Sequence, residues 1–368
     1  MRFFEAVALS GGLPAKLAGG QALFFYFFLP LSRKKTYIRS MDKILTFADL
    51  ESQPKKKTTR REEFLGKMEA VVPWADIASL IQPHYHSNRT GRPATRLDVI
   101  LRMYFLQLWF SISDEGLEDA IYDSHSFRKF MGVDISSIPD ATVLCNFRNM
   151  LAGKNLGGRI LSLVNAMIEE NGLIMHGGTI MDATIHEAPK SVRNERRERD
   201  PEMASTKKHG SCHFGAKSHI GVDWGTGLVH SVEVTPANEH DITVARKLIR
   251  PDDRKAGGDS GYIGLEKRDE IALDPVLSQI EYSIVQRPSM WKKFTELVKM
   301  FDRQAERRLI SARQKVEFVF HVLKDIFKFR KLPYKGLAKN AERLLAAFAS
   351  VNLYMLAIAG RRLCPGPD

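Results

Sequence analysis

Two hydrophobic periods divide the chain. Between about Glu62 and Gly172 apolar residues recur three and four apart, the spacing of helices. Leu97 to Phe110 is apolar on most sides and predicts a buried helix, Glu115 to Tyr122 a second, and Ala141 to Leu151 a third with Asp140 as its cap. On the third, Val143, Phe147, Met150 and Leu151 are expected to face inward and Asn146, Arg148 and Asn149 outward. From Gly178 the period shortens. Strands are expected at 178–185, 218–224, 228–235, 256–260 and 281–286, helices at 241–250 and 264–272, and further helices from about 302. Residues between the first two strands read as a basic irregular loop, and Asp241 as a helix cap. The pattern predicts an α/β chain in which a mixed sheet flanked by helices follows an all-helical N-terminal domain. The expected divisions are an extension at 1–40, a helical domain at 41–172, a sheet domain at 173–363 and a tail at 364–368.

Residues 1–40 do not share either pattern. Leu17 to Leu31 is aromatic-rich and apolar, short for a membrane span, followed by Arg33-Lys-Lys35 and without a small-residue cleavage site. The segment reads as disordered upstream sequence with Met41 as the natural start; membrane anchoring is the alternative.

A formal net charge of +12 and a pI near 9.5 suit a partner that is a polyanion. Basic runs lie at Lys55–Lys57 with Arg60 and Arg61, at Arg193–Arg199, at Lys207–Lys208 and at Lys324–Lys335. The plainer reading of each is a solvated face. Cys145, Cys212 and Cys364 are far apart, which argues for a reducing compartment and against a zinc site, even though His209 and His213 flank Cys212.

Three acids stand out against this background. Asp182 interrupts a strand-like apolar run, where a carboxylate is costly without a partner. Asp259 lies among glycines that allow a ligand or backbone to approach closely. Glu317 sits on a helix whose apolar positions are Val316, Val319, Phe320, Leu323 and Phe327, beside a polar stripe of Arg313, Glu317, His321, Lys324 and Lys328. Each acid has a plainer reading: a backbone-satisfied acid, a turn former, and half of a helical Arg–Glu pair. For Glu317 that reading is weakened because the arginine precedes the glutamate, the less favourable order.

Several strings carry a resemblance: Gly178-Thr-Ile-Met-Asp-Ala-Thr-Ile-His-Glu-Ala-Pro189, Arg199-Asp-Pro-Glu-Met203, Thr206-Lys-Lys208 and His213-Phe-Gly-Ala-Lys-Ser-His-Ile-Gly-Val-Asp223. They are followed by Gly227-Leu-Val-His-Ser231, Ala237-Asn-Glu-His-Asp241, Asp259-Ser-Gly-Tyr262, Val316-Glu-Phe-Val-Phe320 and Tyr334-Lys-Gly-Leu-Ala-Lys-Asn340. In this order, over roughly residues 41 to 360, the chain resembles insertion-sequence transposases of the IS-five type, within the DDE superfamily.

The resemblance implies a ribonuclease H-like sheet domain with Asp182, Asp259 and Glu317 as catalytic acids and metal ligands. The family signature around the glutamate runs tyrosine, two residues, arginine, three residues, glutamate, six residues, lysine. Arg313, Glu317 and Lys324 match it, which places Arg313 and Lys324 among the expected catalytic residues, and Ile310 stands where the tyrosine would be, a departure that bears on DNA contacts rather than on metal ligation. Two Mg²⁺ or Mn²⁺ ions about 4 Å apart suit in-line phosphodiester cleavage and need only oxygen ligands. The implied partners are double-stranded DNA, as terminal inverted repeats and as target, and a second copy of the chain in the DNA complex. No membrane partner is implied, and the implied location is the bacterial cytoplasm, at the nucleoid. Lys207, Lys208, Lys217 and Lys328 are expected on DNA, with Asn146, Arg148 and Asn149 on a helix-turn-helix reading helix. The alternatives are a domesticated nuclease or a non-catalytic DNA-binding regulator of the same fold; flanking inverted repeats in the genome would separate mobility from domestication.

Overall fold

Leu97–Phe110 forms a helix buried on almost every side, because no face of its sequence is polar enough to prefer water. It lies within a computed structural model that describes residues 57–85, 94–174, 176–192, 198–208, 210–285 and 313–360. The extension at 1–40, His209, Ile310 and Cys364 lie outside the described residues.

Among the described residues, helices come first: α1 (Arg60–Val71), α2 (Trp74–Ile81), α3 (Leu97–Phe110), α4 (Asp114–Asp123), α5 (His125–Met131), α6 (Ala141–Gly153) and α7 (Leu156–Glu170). Their starts are written locally. Thr59 and Glu62 close a capping box on α1, and Asp140 caps α6 by accepting the Val143 N–H at 2.8 Å.

Strands β1 (Thr179–Glu187), β2 (Ala204–Lys208), β3 (Ser211–Asp223) and β4 (Val229–Pro236) follow, then α8 (Asp241–Leu248), β5 (Lys255–Gly258), α9 (Asp269–Ala272) and β6 (Glu281–Ile284). A helix over 313–321, α10, continues into a π-helical turn at Val322–Ile326, and α11 (Leu337–Ile358) closes the described chain. The sheet order is β2-β3-β1-β5-β6, with β4 also on β3. β3 is antiparallel to β1, β2 and β4, whereas β1, β5 and β6 run parallel. The sheet is therefore mixed, as the periodicity implies.

β2 and the first half of β3 occupy what reads in sequence as an irregular loop. Thr206, Lys207 and Lys208 pair with His213, Cys212 and Ser211. Their uniformly polar sequence hides the hairpin because neither face meets the core.

Successive strand residues point to opposite faces. Ile180, Ile220, Val222 and Val229 join the core shared with the helices and α10; Met181 joins a second core with Ala245, Leu248 and Tyr262. The first of these is continuous from α1 to α11, with Leu173 and Ile174 inside it. α11 also finishes β4: buried Asn352 accepts the Val229 N–H at 2.8 Å and donates to the Val229 carbonyl at 2.7 Å, replacing a strand partner.

A buried ionic knot fixes the start of β1. Arg250 donates to Asp223 at 3.3 Å and to Asp253 at 2.9 Å, Thr179 donates to Asp253, and His230 and Thr179 are 2.9 Å apart. Arg250→Ala leaves two buried carboxylates without their cation, although backbone N–H groups still serve each. It should cost about 2–3 kcal/mol, read as a lower denaturant midpoint at unchanged slope.

Candidate active site

The parallel register of β1 and β5 sets Ile180 beside Gly257, so Asp182 and Asp259 follow on neighbouring strands toward the same edge of the fold. Asp182 is half-buried, and its Oδ1 accepts the Ala183 N–H at 2.7 Å. Burial pushes its carboxyl up to about 6; the Asp259 charge adds to the rise, while the Ala183 bond and the charges of Arg313 and Lys208 oppose it. No lysine, arginine or histidine among the described residues forms an ion pair with it.

Asp259 leaves β5 into a tight turn, its Oδ1 accepting the Gly261 N–H at 2.8 Å. Gly258 permits the turn because a Cβ there would stand 2.6 Å from the Tyr262 ring.

Glu317 is exposed on α10, which packs on the face that carries Ile180 and hence Asp182. It forms no ion pair with Arg313; the Arg313 charge instead acts on Asp182, and its buried Nε has no hydrogen-bond partner. Lys315 anchors the helix by donating to the Trp224 and Gly225 carbonyls at 2.7 and 2.5 Å. Among the described residues, no three carboxylate, imidazole or thiol side chains are gathered closely enough to hold a metal. The β1–β5 register brings Asp182 and Asp259 close enough for their charges to interact.

The polar stripe of α10 is interrupted. The π turn shifts its phase, and Lys324 donates to Thr184 Oγ1 and to the Ile185 carbonyl, the latter at 3.0 Å, two and three residues beyond Asp182. Lys328 has left the helix, with φ +59°, and is exposed.

Three expected placements are corrected. Arg148 does not face outward: it is buried, donates to both Asp114 oxygens at 2.6 and 2.8 Å, and stacks 4.2 Å from the Tyr334 ring centroid. The buried stripe of α6 is Leu144, Phe147, Arg148 and Leu151, because a bidentate partner on α4 makes burial of the guanidinium tolerable. Lys217 is not free for DNA; it donates to Asp241 Oδ1 at 2.9 Å and to the Glu239 carbonyl at 2.7 Å. Asp241 is not the cap of α8, a position held by His240. It faces Lys217 and lies 3.5 Å from the buried His219 ring.

Asn146 and Asn149 are exposed as expected, and so are Lys207 and Lys208. The Lys208 charge reaches both Asp182 and Lys324, which sets the β2–β3 hairpin beside the acids. Tyr262 is the residue whose place the sequence hides: wholly buried, its hydroxyl has no hydrogen-bond partner and feels the charges of Asp241, Asp182 and Asp259. Its only sequence signal is its place in Asp259-Ser-Gly-Tyr262.

An acid pair at neighbouring strand ends of a mixed sheet, bordered by exposed lysines, defines a protein built to act on a polyanion. Residues 175–353 match the family described as Transposase DDE domain, and residues 49–150 match a second transposase-domain family. The chain belongs to the DDE transposases of insertion sequences. No solved structure gives a significant match.

Proposed function

We propose that the chain cuts DNA at the terminal inverted repeats of an IS-five-type insertion sequence and joins the freed 3′-hydroxyl to target DNA. The sheet order and strand directions support a ribonuclease H-like reading of its catalytic region, with the helices ahead of it engaging DNA. The observation that carries the proposal is that Asp182, half-buried, stands beside Asp259 on neighbouring parallel strands.

The residues fit a hard divalent ion: the available donors are carboxylate oxygens, and burial with like charge is what a cation would relieve. Asp182 and Asp259, joined by Glu317 on DNA binding, would hold two Mg²⁺ or Mn²⁺ ions. Such ions supply an activated nucleophile and neutralise the leaving oxygen. Arg313 sets its charge against Asp182, and Lys324 ties α10 to β1 next to that acid, so the pair fix the helix that brings Glu317. Lys207, Lys208 and Lys328 would hold phosphates, and Asn146 and Asn149 remain candidates for base contacts. A homodimer would bring two element ends together. Leu337–Ile358 is long and apolar enough to span a membrane, but most of it is buried in the core and it serves there as a packing helix. The proposed location is the bacterial cytoplasm, at the nucleoid.

Two outcomes test this reading. Mg²⁺ at a hundred times its Kd should stabilise the fold by about 2.7 kcal/mol, seen as a higher melting temperature that chelator reverses. An unchanged melting temperature at saturating Mg²⁺ or Mn²⁺ would remove the metal site. Lys207→Ala with Lys208→Ala should weaken binding to all duplexes alike and flatten the log–log salt slope by about 2. A loss confined to one sequence would show base reading instead.

A further inference from the structure

Tyr262 buries a hydroxyl that has no hydrogen-bond partner among the described residues. Its ring is held firmly in the second core with Met181, Ala245 and Leu248, so it has no freedom to carry its hydroxyl to water. Burying a hydroxyl without a partner is unfavourable, and an apolar phenylalanine would fill the same space without that cost. The backbone nevertheless accommodates this ring closely: Gly258 leaves room for it, and the Tyr262 N–H donates to the Asp259 carbonyl at 3.1 Å, so ring and acid turn form one unit. Over Gly261 the Asp259 and Asp241 carboxylates converge, since a Cβ there would stand 3.0 Å from one and 3.6 Å from the other. Asp241 has Lys217 as its ion-pair partner; among the described residues Asp182 and Asp259 form no ion pair.

We propose that Tyr262 is a positioning residue of the metal site, its hydroxyl donating to a carboxylate oxygen of the Asp182–Asp259 pair once that pair holds a divalent cation. The inference rests on the metal reading given above. A phenol hydrogen bond from beneath the strand ends would fix the direction of the ligand oxygen, the service that outer partners commonly perform for metal-binding carboxylates. The hydroxyl, which has no hydrogen-bond partner among the described residues, would gain one when the pair holds a cation. A structural tyrosine would instead stabilise the fold in chelator through its own hydrogen bond.

The test is a Mn²⁺ titration of the full chain, with free Mn²⁺ followed by electron paramagnetic resonance, alongside thermal unfolding in chelator. Tyr262→Phe should unfold at the same or a higher temperature in chelator, yet bind Mn²⁺ about tenfold more weakly. Equal Mn²⁺ affinity, or a lower unfolding temperature in chelator, would overturn the proposal. Asp182→Asn separates the two readings. If it loses Mn²⁺ while Tyr262→Phe does not, only the tyrosine assignment fails; if it binds as the wild type does, the metal site itself is misplaced and the tyrosine proposal falls with it.

Discussion

Asp182→Asn and Asp259→Asn are each expected to lower DNA cleavage by at least about a thousandfold, or ~4 kcal/mol of transition-state stabilisation, with duplex affinity changed by less than about twofold. The two effects part because cation ligation and backbone gripping use different groups. Asparagine keeps the shape and the oxygen that accepts the Ala183 or Gly261 N–H, so the fold should survive. It should gain stability in chelator, since Asp182 is disfavoured as an anion by burial and by the Asp259 charge. A single-turnover cleavage assay with a parallel gel shift reads both quantities. Cleavage that persists in both variants would exclude these acids from the chemistry.

Arg148→Ala is expected to destabilise the protein by about 2–3 kcal/mol, the cost of removing a buried guanidinium and its charge-assisted hydrogen bonds to the half-buried Asp114. Arg148 joins α6 to α4 through Asp114, touches Gln107 Oε1 at 3.1 Å and covers Tyr334. Burial raises the Asp114 carboxyl, but hydrogen bonds from Arg148 and Gln107 outweigh it and hold that group below its ordinary 3.8. The pair therefore contributes fully above that pH and is lost as pH falls below it. In denaturant titrations the stability difference between wild type and variant should be full at neutral pH and shrink as pH is lowered below 3.8. A base-reading Arg148 would show neither effect; its loss would relax DNA specificity at unchanged stability. Asn146→Ala and Asn149→Ala are the substitutions that bear on reading by this helix.

The contrast shows what a one-dimensional pattern conveys. Leu97–Phe110 and the Asp140 cap are legible because their causes are local: apolar residues on all sides, and a side-chain oxygen three residues from the N–H it accepts. Asp182 and Asp259 are legible for a related reason, each being a carboxylate in a sequence that otherwise suits a buried strand or a glycine turn. Arg148 and Lys217 were misjudged because their partners are far away in sequence. Asp114 and Asp241 decide the orientation of those side chains, and nothing within a helical or strand period announces them. The β2–β3 hairpin escaped because a two-stranded polar ribbon lacks the alternation that burial imposes. The π turn escaped because a single residue of phase shift leaves the apolar stripe of α10 intact while it moves Lys324 to β1 and releases Lys328 from the helix.

The central claim is that Asp182, Asp259 and Glu317 serve one metal site, with α10 carrying the glutamate. Fe²⁺ in place of Mg²⁺, with ascorbate and peroxide, cuts a polypeptide where the metal is held, and the full chain bound to a duplex bearing an element end is the form to use. Cuts are expected near residues 182, 259 and 317 together, suppressed by excess Mg²⁺ and absent in Asp182→Asn. Cutting near 182 and 259 with none near 317, or cutting that ignores Mg²⁺ and the Asp182 substitution, would contradict it.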